Sequence, residues 1–150
     1  MSSQVLVSLM ITSQKWSLAE LASQLERKPH SGSHSKGDHR GLRGMESTWS
    51  CTIWRENAAD TNALWPEQCL QLLRQMPFRS QELFAADPED ISIVLDIAVF
   101  YKTAYTSIAL PHELIQEMAT RNVVCEITTY PVSEENAVGP DSSSIRTAKP

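Results

Sequence analysis

The hydrophobic positions of this chain change period several times. Residues 5–12 read V-L-V-S-L-M-I-T, β-branched and apolar on both faces, which predicts a strand buried in the middle of a sheet. Ser17 with Glu20 three residues later forms a capping box, and Leu18, Leu21, Ala22 and Leu25 follow at helical spacing. This predicts a helix from Leu18 to about Arg27, ended by Pro29. Residues 28–45 carry no periodicity. Residues 48–55 (T-W-S-C-T-I-W-R) then alternate, with Trp49, Cys51 and Ile53 expected on the core face and Ser50, Thr52 and Trp54 on the more polar one. A second helix should start near Trp65-Pro66-Glu67, capped by Thr61 or Asn62. Its core face is Cys69, Leu72, Leu73 and Met76, and Pro77 ends it. A short helix over residues 80–86 can follow.

Ile91, Ile93, Leu95, Ile97 and Val99 give the clearest strand, alternating with Ser92, Val94, Asp96, Ala98 and Phe100. Residues 107–110 suggest a short strand able to form a hairpin with it. Pro111 suits the first turn of a helix with Leu114, Ile115, Met118 and Ala119 inward, and Asn122 suits its left-handed end. Residues 123–130 close with another strand. The order β-α-β-α-β-β-α-β predicts an α/β (α+β) sandwich, a mixed sheet of about four to five strands with about three helices. A ferredoxin-like arrangement with one added helix is the expected topology. One domain should span residues 1–130, and the polar remainder, 131–150, should be disordered.

Charge changes this picture at one place. The 150 residues carry 13 basic and 18 acidic side chains, a net charge of −5. Arg27, Lys28, Lys36, Arg40 and Arg43 against Asp38 give residues 27–43 a net +4, which leaves −9 on the rest. His30, His34 and His39 lie in the same stretch. So long a loop is usually functional or disordered. Its glycines and cations suit an anion site, although the spacing G-x-x-x-x-G-K-[ST] of a nucleotide loop is absent. The three histidines could meet a metal, but no metal-ligand spacing is fixed, and none is assigned. The third possibility is a solvated loop balancing an acidic body.

That acidic body argues against general nucleic-acid binding. No apolar run approaches the roughly 20 residues of a membrane helix, and no export signal is evident, so a cytoplasmic protein is expected. Cys51, Cys69 and Cys125 are odd in number and widely spaced, as for small buried hydrophobes. No nucleophile, metalloprotease or dinucleotide motif occurs, so neither enzyme activity nor a cofactor is expected. Asp96 in its apolar strand needs a partner if buried, with Lys102, Arg55 or a tryptophan N–H as candidates. Of the tryptophans, Trp16 suits a hydrophobic staple onto Leu21 and Trp49 the core. Trp54 and Trp65 are the ones expected at least partly exposed, as aromatics at binding centres often are.

Several of these stretches together resemble a known family. Trp16-Ser17-Leu18-Ala19-Glu20-Leu21, His34-Ser35-Lys36-Gly37-Asp38 and Thr52-Ile53-Trp54-Arg55 are similar to the bacterial domain-of-unknown-function family 4279 (DUF4279). So are L-Q-L-L-R-Q-M (70–76), S-I-A-L-P-H-E-L-I (107–115) and E-I-T-T-Y (126–130). The likeness spans about residues 5–130. It departs where Glu26-Arg27-Lys28-Pro29 replaces an expected glycine turn, and in the added tail. The resemblance implies a small cytoplasmic α/β domain, and neighbourhood to toxin genes in the family suggests immunity proteins. The leading expectation is therefore a non-enzymatic protein-binding domain whose partner is a basic toxin domain. The alternative is a small-ligand or anion sensor using the His-Ser-Lys-Gly-Asp loop. The candidate contact residues are His34, Lys36, Gly37, Asp38, Arg40 and Arg55, with Trp54 and Trp65.

Overall fold

The computed structural model describes residues 4–42, 45–102 and 107–133. Its elements are β1 (Gln4–Ser13), α1 (Leu18–Leu25), β2 (His39–Leu42), β3 (Met45–Thr48) and β4 (Thr52–Asn57). There follow α2 (Trp65–Arg74), α3 (Ser80–Ala86), β5 (Ser92–Tyr101), α4 (His112–Thr120) and β6 (Val124–Pro131). Four strands form one mixed sheet in the order β4-β1-β5-β6, and β2 and β3 form a separate hairpin. The α+β sandwich is as expected, with a fourth helix where residues 80–86 allowed one.

The topology departs from the ferredoxin-like expectation. β1 lies antiparallel to both β4 and β5, but β6 runs parallel to β5. A ferredoxin-like sheet is antiparallel throughout. The parallel pair arises because α4 is the crossover between β5 and β6. Residues 107–110 form no strand and instead set Ile108 and Leu110 against the core. Residues 134–150 of the expected disordered tail lie outside the described residues.

All four helices contribute to covering one face of the sheet. Val7, Leu9 and Ile11 of β1 and Ile93, Leu95, Ile97 and Val99 of β5 meet Leu21, Leu25, Cys69, Leu72, Leu73, Leu114 and Met118 in a single core, with Leu83 and Phe84 of α3 packed at its border. Each such side chain contributes about 1.5–3 kcal/mol when fully buried. On α4, Leu114 and Met118 point inward as expected, while Ile115 and Ala119 are exposed. The local signals of α1 hold: Ser17 Oγ accepts from Glu20 N–H at 3.1 Å, and Glu20 Oε1 accepts from Ser17 N–H at 2.9 Å. Asn122 takes φ 58° after α4, while Pro111 is that helix's N-cap rather than its first residue. Helix α2 starts from Leu64 without a side-chain cap, since Asp60 rather than Thr61 or Asn62 organises the preceding turn.

The expected strand over residues 48–55 is broken. The chain bends at residues 49–51, and β4 begins afresh at Thr52. Pairing of Trp54 with Ile11 and of Thr52 with Ser13 turns Thr52 and Trp54 toward the helices. Both are fully buried, which reverses the expected faces. No helix among the described residues is long and apolar enough to cross a membrane.

Candidate functional site

The aperiodic stretch is held together by polar bonds rather than by apolar packing. Glu26 ends α1 in the left-handed conformation (φ 59°), and the chain turns back along β4. His30 N–H donates to Arg55 O at 2.7 Å, and His34 and Ile53 exchange backbone bonds of 3.0 and 2.8 Å. This segment thus shields the outer edge of β4.

Ser35-Lys36-Gly37-Asp38 then forms a tight turn. Asp38 N–H donates to Ser35 O at 3.1 Å, the Asp38 carboxylate accepts from Ser35 N–H at 2.8 Å, and Gly37 has φ 90°. A glycine in the third position of a turn with positive φ is the requirement of a type II turn. Two bonds anchor the turn to the body. Ser35 Oγ accepts from Leu18 N–H at 2.6 Å, satisfying a free donor at the start of α1. Thr52 Oγ1 accepts from Lys36 N–H at 2.8 Å and donates to Trp16 O at 2.5 Å.

Trp49 is fixed against this turn at both ends of its backbone. Its N–H donates to Asp38 O, and its carbonyl accepts from Gly37 N–H, each at 2.9 Å. Its ring stacks on His34 with centroids 3.5 Å apart and 22° between planes. Arg40 lies over the same ring, Cζ 4.5 Å from the centroid, with Nε donating to Ser47 Oγ at 2.9 Å. Burial pushes the His34 pKa down. Asp38 and a backbone hydrogen bond to Gly32 oppose the shift, and Arg55 and Arg40 add to it. Burial thus favours the uncharged form of His34, whose buried Nε2 has no hydrogen-bond partner among the described residues. His30 instead accepts from Asn57 N–H through Nδ1. No three His, Cys, Asp or Glu side chains among the described residues group closely enough to hold a metal.

Arg55 does not join Lys36 and Arg40 at the turn. Its guanidinium crosses the sheet face opposite the described helices, donating to Ser8 Oγ at 2.5 Å, Asp96 Oδ2 at 3.3 Å and Met10 Sδ at 3.1 Å. It is the partner that Asp96 required. Beside this pair a cleft of about 360 Å³ opens, lined by Leu6, Ser8, Asn57 and Gln68 among others. The cleft sits where β4 ends: the last β1–β4 pair is Ser8 with Asn57, while β1 continues to Gln4 against β5 alone.

The structure thus brings together His34, Lys36, Gly37, Asp38 and Arg40 at one corner, and carries Arg55 to the sheet. Trp54 is not a surface residue: it is sealed in the core, with Nε1 donating to Arg27 O at 3.2 Å. Trp65 is half-buried against the core at the start of α2. The aromatic at this corner is Trp49, which the alternation had assigned to the core and which lies outside the core cluster. A cue was its place between polar residues, three after Glu46 and beside Ser50. No protein-family model, no curated protein and no solved structure matches this chain.

Proposed function

We propose that this chain is a non-enzymatic protein-binding domain of the immunity type, which binds and neutralises a cationic bacterial toxin domain. The observation that carries the reading is the Trp49 corner. Its ring is stacked on His34 and Arg40 and its backbone is pinned, so little freedom is lost on binding. Tryptophan and arginine are the side chains most often dominant in protein interfaces. The acidic remainder would draw a cationic partner from a distance. Lys36 and Arg40 would then select an acidic or aromatic feature of that partner at contact. The resemblance to domain-of-unknown-function family 4279 supports the same reading.

Co-expression with the proposed toxin partner, sought among the neighbouring genes, tests it. Growth should be rescued by the natural chain and not by a folded Trp49→Ala variant. Undiminished toxicity in the presence of the natural chain would sink the proposal.

A second reading, a small-ligand or anion sensor, is supported by the closeness of Lys36 and Arg40 to the Gly37 turn. Thermal unfolding in phosphate and nucleotides tests it, because a ligand of the native state raises the midpoint by mass action. A rise that disappears in a Lys36→Ala, Arg40→Ala variant supports this reading, and an unchanged midpoint ends it.

A further inference from the structure

The two edges of the main sheet are treated differently. The outer edge of β4 is covered by the segment from His30 to His34, through three backbone hydrogen bonds. At the other end, β6 is paired on one side only, with β5. Among the described residues nothing pairs with its outer edge. Unpaired edges this long are normally blunted by lysine, proline or a bulge. β6 has eight residues, V-C-E-I-T-T-Y-P, with Glu126 its single charge and proline only at its last position. Val124, Ile127 and Tyr130 are 59%, 42% and 44% exposed. Tyr130 also stacks on Phe100 of β5, centroids 4.9 Å apart, which extends the apolar edge inward.

We infer that β6 pairs antiparallel with β6 of a second copy of this chain, joining two four-stranded sheets into one. The strand is complementary to itself in one register. A two-fold axis normal to the sheet keeps each residue on the same face in both copies, so residues of equal parity must pair. With the axis at Ile127, Val124 meets Tyr130 and Cys125 meets Thr129. Glu126 meets Thr128, so no carboxylate opposes another. Centring one residue earlier sets Glu126 against Glu126, which is destabilising. Centring one residue later sets Cys125 against Pro131, which has no N–H to give to the ladder. The inference does not rest on the toxin-binding reading.

Sedimentation of the full chain over a range of concentrations tests the inference, with two charge variants of Thr128. The natural chain should approach twice its 16.8 kDa mass as concentration rises. Thr128→Glu, facing Glu126 of the second copy, should weaken self-association several-fold, and Thr128→Lys should strengthen it. Circular dichroism and the unfolding midpoint report whether each variant folds. A natural chain that stays at monomer mass throughout overturns the inference. So does a dimer whose affinity is the same in both folded variants.

Discussion

Arg55 and Asp96 face each other across β1, Nη1 to Oδ2 at 3.3 Å, and Ser8 on the intervening strand accepts from the same nitrogen. Three strands are thereby tied together on the sheet face that the described helices leave uncovered. Both side chains retain some exposure (24% and 20%), so solvent screens the attraction. The larger effect of removing Arg55 is to leave the buried Ser8 and the half-buried Asp96 without their donor. Arg55→Ala is expected to cost about 1–3 kcal/mol in urea unfolding. A double Arg55→Ala, Asp96→Ala variant should lose less than the sum of the two single changes. Strict additivity would show that the pair does not couple.

Gly32 is shaped around the same arginine. It has φ 89°, and a Cβ there would lie 2.9 Å from Arg55 Cδ. Gly37 has φ 90° with open space around it. Both Gly→Ala changes carry the conformational penalty, about 1–2 kcal/mol for a left-handed L-residue. Gly32→Ala adds the clash and should be the more destabilising. Equal losses would mean that Arg55 moves aside freely.

The tryptophans separate stability from binding. Trp54→Ala empties a sealed site and is expected to cost about 3–5 kcal/mol. Trp49→Ala removes a ring outside the core and is expected to cost about 1 kcal/mol or less. Reversed magnitudes would place the anchor at the wrong residue.

His34 should make stability depend on pH. Its folded pKa lies below the ordinary 6.5, with burial as the leading cause. As pH falls through 6.5, the unfolded chain takes up a proton before the folded one does. Stability should drop from there and level off below the folded pKa. His34→Phe keeps a ring on Trp49 and removes the titration. The difference in unfolding free energy between natural chain and variant should therefore change across this window, and a constant difference would contradict the assignment.

The thiols should react unequally. Burial pushes the Cys69 pKa up to about 12, and burial followed by Asp96 raises that of Cys125. Cys51 sits half-buried in the bend before β4. In the native protein at neutral pH, Cys69 should resist alkylation until the chain unfolds, as mass spectrometry of labelled peptides can show. Rapid native labelling of Cys69 would indicate that α2 opens readily.

Much of this fold could be read locally. The Ser17–Glu20 capping box, the alternation from Ile91 to Val99 and the two-sided apolar run of β1 are short-range signals that tertiary packing reinforces. The misreadings share a long-range cause. Trp54 faces the core because the chain bends at residues 49–51, and such a bend shifts side-chain parity without changing composition. β2 and β3 carry no apolar alternation, so their hairpin left no hydrophobic signature. Lys36, Asp38 and Arg40 were recognisable from charge and glycine spacing. Trp49 was not, since its half-buried place at this corner follows from bonds to Gly37 and Asp38, more than ten residues away.

The most direct measurement is a calorimetric titration of the proposed partner, a cationic toxin domain, with the natural chain and with Trp49→Ala. The natural chain should bind it, and the folded variant should bind at least tenfold more weakly, about 1.4 kcal/mol. No heat of binding to the natural chain, or equal affinity of both, would contradict the account of Trp49 as the anchor of a protein interface.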